Sequence, residues 1–235
     1  MTPTNPDNQD ESPQIQELIT ALNLQPHIEG GYFVETDRDK LRVRNPFLTP
    51  QQLGSEASLP DSQLWRNAST TIFYLLTPRR PLGRFHRNRA RTVHTLHSGR
   101  GVYVLLHADE MDGGESRVRI ESFVVGRDVA KGERLQWIVE GGKYKASFLL
   151  DVGDGKGGGT DCAECGGLLI SEVGFPLSLL PSSDCWVLSS RTNITIKTVV
   201  PGFEFTDHDF LELSKLRELV SPGEAKELEW LVRKE

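Results

Sequence analysis

The chain contains no long apolar run. No segment approaches the roughly 20 consecutive apolar residues that a membrane-spanning helix needs. Its first residues, MTPTNPDNQDESPQ, are polar and acidic, unlike a signal or transit peptide. We therefore expect a cytoplasmic protein that has no membrane partner.

Cysteine is scarce as well, and acidic residues outnumber basic ones. The 235 residues include only Cys162, Cys165 and Cys185 as cysteines, and the formal net charge is −6. A small, odd number of cysteines is typical of a reducing compartment, and the CxxC pair lacks the second pair that a zinc site would need. The acidic balance argues against a general phosphate-binding surface, so we expect no nucleic-acid partner.

The middle of the chain is rich in short β-forming segments, most of them separated by Gly, Asp, Asn or Pro. These segments are 70–77, 92–97, 101–107, 117–125, 134–139, 145–150, 167–171, 185–190 and 194–200. Roughly nine strands at this spacing predict an all-β sandwich or barrel in a single domain.

Other segments flank and interrupt this domain. We expect a disordered N-terminus at 1–13, a β domain at 14–213 with a flexible glycine-rich insertion at about 152–167, and a C-terminal helical extension at 214–235. Ser12 and Pro13 are typical of the start of a helix. Ser221, three residues before Glu224, forms a capping-box pattern that predicts another helix near the end.

Four segments, in this order, resemble the cupin-5 family. They are LQPHIEGGYFVET, TTIFYLLTP leading to RFHR, GRDVAKGERLQWIVEGGKY and VVPGFEFTDHDFLEL. The similarity extends from about Leu18 to Leu213, which is most of the chain. The resemblance implies a cupin jelly-roll barrel, that is, a double-stranded β-helix, often dimeric and similar to dTDP-sugar epimerases and ligand-binding cupins. It implies no particular reaction.

Several pocket positions depart from the family pattern. Family members have an acidic residue and then a Trp–His pair on the strand where this chain has Thr92, His94 and Thr95. Farther along, Glu140 and Lys145 replace the family's proline and glutamine. A pocket altered at so many positions indicates that the ligand has changed.

Three of the six histidines, His86, His94 and His97, lie close together in the sequence. Successive side chains of a strand point to opposite faces, so His94 and His97 cannot both point inward without a bulge. A catalytic metal usually has three or more protein ligands. The places that supply the further ligands in metal-binding cupins here hold Thr92 and the histidine-free segment EGGKYKASF. We therefore expect no metal and no cofactor.

The polar residues of the expected pocket suit acid–base chemistry. His86 and His94 can take and return protons, Glu29 can orient an imidazole, and Tyr32 can act as an acid. An equally good interpretation of Glu29 is that it holds its own Gly-Gly turn. The expected substrate-binding residues are Thr92, Tyr74, Tyr144, Lys145, Arg84 and Trp137.

These residues predict a metal-independent enzyme that transfers a proton on a small organic, sugar-like or secondary metabolite. The reaction would be an isomerisation, epimerisation, cyclisation or elimination, and we expect a homodimer. Two other functions stay open, a non-catalytic ligand-binding module and a metal-dependent cupin oxygenase.

Overall fold

A computed structural model describes residues 11–111, 117–150, 166–175 and 202–233. The strands of these ranges are β1 (Gln25–Pro26), β2 (Tyr32–Arg38), β3 (Arg42–Arg44), β4 (Trp65–Asn67), β5 (Thr70–Leu76), β6 (Leu82–Asn88), β7 (Arg91–Ser98), β8 (Gly101–Leu106), β9 (Ile120–Val125), β10 (Gln136–Val139), β11 (Tyr144–Leu149), β12 (Leu168–Phe175) and β13 (His208–Phe210). The α-helices are α1 (Pro13–Ala21), α2 (Pro50–Leu53), α3 (Asp61–Leu64), α4 (Leu213–Leu219) and α5 (Pro222–Leu228). None of these helices is both long and apolar enough to cross a bilayer.

The strands form two large antiparallel sheets. The six-stranded sheet has the order β1-β2-β5-β12-β7-β10, and the five-stranded sheet has the order β13-β6-β11-β8-β9. β3 and β4 form a separate hairpin-like pair. Many strands that are paired in a sheet are far apart in sequence, as expected for a jelly roll in which the chain alternates between two sheets. The predicted all-β jelly-roll fold is confirmed.

Apolar side chains from both sheets fill much of the space between them. This interior cluster combines residues of the six-stranded sheet with residues of the five-stranded sheet. Its buried members include Tyr74, Leu96, Trp137, Tyr103, Leu105 and Val125. Because the side chains of each strand alternate between two faces, the opposite faces carry apolar residues that need their own cover.

Helices from both ends of the chain cover these outer faces. Ile15 of α1 packs with Leu75 on the outside of the six-stranded sheet. Leu216 of α4 and Leu231 pack with Phe85 on the outside of the five-stranded sheet. The C-terminal helices therefore share a hydrophobic core with the barrel.

Local capping signals place the helix ends correctly. The Ser12 side chain accepts a hydrogen bond from the Ile15 amide, and Pro13 begins α1. Ser221 and Glu224 exchange side-chain and backbone hydrogen bonds at the start of α5. Both helix starts predicted from the sequence are confirmed.

Some elements were not among the predicted strands. β6 and β13 carry several charged or polar residues, which weaken the apolar signal of a strand. The predicted strands 185–190 and 194–200, the CxxC pair and nearly all of the insertion lie outside the described residues, as do residues 1–10. The expected homodimer stays a prediction.

Shortening Leu216 tests the packing of the C-terminal helices on the barrel. Leu216 is fully buried, so Leu216→Ala removes apolar contacts and leaves a cavity that should lower the free energy of unfolding by about 2–5 kcal/mol. The control Leu53→Ala, at a side chain that is 48% exposed, should change it by less than about 0.5 kcal/mol. Equal effects in urea unfolding would contradict this packing.

Candidate functional site

A cavity of about 440 Å³ lies at one end of the barrel interior, between the two sheets. Phe33, Ile72 and Phe203 contribute apolar wall, and the carboxylates of Glu29 and Glu172 also line it. Such a combination of apolar wall and a few polar groups is typical of small-molecule sites. Two polar clusters, one around each carboxylate, define its chemistry.

A turn of two glycines brings Glu29 to the cavity. Gly30 and Gly31 have φ angles of 110° and 61°, which disfavour other residues. A Cβ at Gly30 would clash with the Leu82 carbonyl oxygen, so glycine is also needed for this close approach to β6. The Arg84 amide donates to the Glu29 carbonyl at 2.7 Å. The turn therefore docks against the strand that carries His86.

Imidazoles surround the Glu29 carboxylate. Its Oε1 lies 2.8 Å from His208 Nε2, and its Oε2 lies 3.3 Å from His86 Nε2 and 3.5 Å from His27 Nδ1. The His86 and His208 rings stack with their centroids 5.3 Å apart. We call Glu29, His86 and His208 the histidine cluster; each of its side chains is at most 11% exposed.

An irregularity in β6 turns His86 into the barrel. Lys145 pairs with His86 and Ser147 pairs with Gly83, so two residues of β6 lie opposite the single residue between them on β11. This bulge lets Gly83 and His86 both face inward although they are three residues apart. His86 Nδ1 then lies 2.8 Å from the Arg84 carbonyl oxygen.

Burial sets the charge of the histidine cluster. It lowers the pKa of His86 to about 4, although the Glu29 carboxylate acts in the opposite direction. Burial would raise the pKa of Glu29, but His86 and the hydrogen bonds from His208 and His27 hold that pKa well below its usual value. At neutral pH, Glu29 is therefore ionised and His86 is neutral.

The second cluster crosses the interior from one sheet to the other. Lys145 of the five-stranded sheet donates to Glu172 Oε2 at 2.6 Å, and its Nζ lies 3.0 Å from His94 Nε2. Glu172 and His94 are directly paired on neighbouring strands of the six-stranded sheet. We call these three residues the lysine cluster.

The lysine cluster is almost closed to water. Lys145 is 1% exposed and His94 is fully buried. Burial lowers the pKa of His94, and Glu172 offsets that effect only in part. Burial would raise the pKa of Glu172, but His94 and Lys145 hold it well below the usual range, so Glu172 stays ionised.

Three residues expected at the site face outward, which corrects their predicted roles. Tyr32 packs under α1 and its hydroxyl donates to Glu11, while the next residue, Phe33, lines the cavity. The alternation of β11 points Lys145 inward and therefore Tyr144 outward, where its hydroxyl donates to Asp209. The bulge turns Arg84 outward, and its guanidinium donates to the Trp230 carbonyl.

The other expected substrate-binding residues lie in the barrel interior. Thr92 lines the cavity. The Tyr74 hydroxyl donates to the Gly30 carbonyl at 2.9 Å, and the Trp137 ring stacks on His94 at 5.1 Å between centroids. His97 is exposed on the outer side and contacts Phe73, as strand alternation predicts.

Two important residues were missed by the sequence reasoning. Glu172 is a lone acid in the apolar segment LLISEVGF, and this interruption was the signal that could have found it. His208 comes from β13, which pairs with β6 from far along the chain. The expectation that too few ligands converge for a metal is wrong, because ligand atoms of Glu29, His86 and His208 lie within 4.8 Å of one another.

Comparisons with known proteins agree with this fold. A family model described as Cupin superfamily (DUF985) matches residues 16–177. The Saccharomyces cerevisiae protein named Uncharacterized protein YML079W is 38% identical, over 92% of this chain and 85% of that protein.

Two solved structures share the architecture. A hypothetical protein from Leishmania major has a TM-score of 0.62 and 24% identity, covering 96% of this chain and all of that one. Protein SO0799 from Shewanella oneidensis has a TM-score of 0.59 and 18% identity, covering 97% of this chain and 100% of that one. At these identities the similarity establishes the fold alone.

Removing Lys145 tests the cross-sheet pair. Lys145→Met should lower the free energy of unfolding by about 3–5 kcal/mol, because it leaves the Glu172 carboxylate without its cation in a nearly closed interior. The double variant Lys145→Met/Glu172→Leu should recover much of that loss. The control Lys215→Met removes an exposed pair with Glu218 and should cost at most about 1 kcal/mol. A double variant less stable than Lys145→Met would contradict this account.

Proposed function

Since this chain belongs to the Cupin superfamily (DUF985) family, we propose that it is an enzyme that transfers a proton on a small organic molecule held in the barrel cavity. The reaction class is an isomerisation, epimerisation, cyclisation or elimination that passes through an enol or enolate. One observation carries this proposal. Among the acidic residues that line one largely apolar cavity, Glu29 and Glu172 are each ionised and held by buried histidine or lysine side chains.

Glu172 is the proton acceptor of the proposed reaction. Its carboxylate oxygen takes the proton from a carbon next to a carbonyl. The electron pair of the broken C–H bond forms the C=C bond of the enolate, and the π pair of the carbonyl moves to its oxygen. The proton then returns to another carbon or to the opposite face of the same carbon. Lys145 and His94 position Glu172 and keep it ionised between turnovers.

The low pKa of Glu172 restricts the substrate. A weakly basic carboxylate removes a carbon-bound proton only if that proton is already acidified, so the substrate oxygen must be polarised. Glu29 and His86 of the histidine cluster line the same cavity and supply the polar groups for this task. The apolar wall of Phe33, Ile72 and Phe203 limits the access of water to the enolate.

Hydrogen–deuterium exchange at carbon tests the proposal. The protein should incorporate deuterium from D2O into at least one member of a panel of keto acids, ketoses and cyclic ketones, detected by NMR spectroscopy. Glu172→Gln should slow this exchange by about 10²–10⁴-fold, since it removes the proton acceptor. The matched control is Glu133→Gln, which alters a buried carboxylate that binds Arg100 outside the cavity lining and should leave exchange unchanged.

The same experiment separates an enzyme from a binding module. If a panel member binds in the cavity and no carbon exchanges deuterium, the protein is a non-catalytic binder. If Glu172→Gln exchanges as fast as the wild type, Glu172 is not the proton acceptor.

A further inference from the structure

The histidine cluster brings three possible metal-ligand atoms together. One ligand atom each of Glu29, His86 and His208 lies within 4.8 Å of the other two, and all three side chains are largely buried. The Arg84 carbonyl oxygen can only accept a hydrogen bond, so the His86 Nδ1 that contacts it carries a proton, and Nε2 is the ring atom that faces the Glu29 carboxylate.

We propose that Glu29, His86 and His208 bind a divalent first-row transition-metal ion. The ligands are one carboxylate oxygen of Glu29 and the Nε2 atoms of His86 and His208. His208 Nε2 lies 2.8 Å from Oε1 of Glu29, and His86 Nε2 lies 3.3 Å from Oε2. Neighbouring ligands of an ion about 2.1 Å from each are roughly 3.0–3.4 Å apart, so the carboxylate lies within ligand range of both imidazoles.

The surroundings of the cluster support a metal. A backbone carbonyl that fixes the tautomer of a histidine, as Arg84 does for His86, is the usual outer partner of a metal-binding imidazole. Asn88, which pairs with His208 across the strands and lines the cavity, has a buried Oδ1 that accepts no hydrogen bond from any described residue. It adds another electron-rich atom to the same wall.

The donor set identifies the class of metal. Two imidazoles and one carboxylate suit zinc, iron, manganese or cobalt, whereas calcium and magnesium prefer sites made of oxygen ligands. This set uses neither Thr92 nor any residue of the segment EGGKYKASF, the places where metal-binding cupins would have other ligands. It instead combines the glycine turn, the β6 bulge and the late strand β13.

A metal at this site would extend the proposed function. Its catalytic role rests on that function, whereas the binding of the ion does not. Glu29 and His86 line the cavity, so an ion held by them would lie beside the bound molecule. It would polarise a carbonyl or carboxylate oxygen of the substrate and so help a weak base such as Glu172. The substrate is then a compound that coordinates a metal through oxygen.

Titration of chelator-treated full-length protein with CoCl2 and ZnCl2 tests the site. Calorimetry should give one ion per chain, and bound Co²⁺ should show visible absorption bands of a coordinated ion. His208→Ala and Glu29→Gln should each weaken binding by about 100-fold or more, since a direct ligand should matter at least as much as an outer partner. His208→Asn is a second variant that retains a hydrogen-bonding group near Glu29, and circular dichroism checks that each variant is folded.

Two controls address other ligand groups. His97→Ala removes an exposed imidazole on the outer side of the barrel. Glu110→Gln alters the surface group of His107, Asp109 and Glu110, whose acids already contact Lys143 and Arg119. Both controls should bind the metals as the wild type does.

Absence of stoichiometric binding, or unchanged binding by folded His208→Ala and Glu29→Gln, would overturn the metal site. So would a loss of binding in Glu110→Gln that matches theirs. Deuterium exchange is measured separately, on the wild type and on Glu172→Gln, each with and without added metal. Metal binding without exchange in either condition would overturn the proton transfer alone, and exchange without metal binding would overturn the metal site alone.

Discussion

The ion pair between Lys145 and Glu172 is the contact on which the barrel interior depends. It joins the five-stranded sheet to the six-stranded sheet at 2.6 Å, with both charges removed from bulk water. Such a pair persists only if further hydrogen bonds satisfy its members, and here His94 lies beside both charges. The pair puts charged side chains in the barrel interior, where close apolar packing would otherwise continue, and Glu172 therefore lines a cavity.

The position of the second carboxylate follows from backbone constraints. The glycine turn approaches β6 so closely that Gly30 has no room for a side chain, and the bulge in β6 turns His86 toward that turn. Glu29 and His86 are therefore held by backbone geometry as well as by their own contact. Groups held in this way keep their separation when a molecule binds, which is the condition for catalysis by preorganised charges.

Features that depend on neighbouring residues could be predicted from the sequence, whereas contacts between distant segments could not. The start of α1 could be predicted because Ser12 and Pro13 act on their immediate neighbours, and His97 could be placed outward by alternation alone. Arg84 was misplaced because a bulge breaks that alternation, and a single sequence does not reveal a bulge. His208 joins Glu29 only through the pairing of β13 with β6, a contact that no local pattern encodes.

The most direct test of the account is a crystal structure of the protein bound to a molecule in which it exchanges deuterium. The account predicts electron density for that molecule in the cavity between the sheets, with one polar group within hydrogen-bonding distance of Glu172 and an oxygen turned toward Glu29 and His86. Density for that molecule on an outer face of either sheet, or side chains that fill the space above an unpaired Lys145, would contradict it.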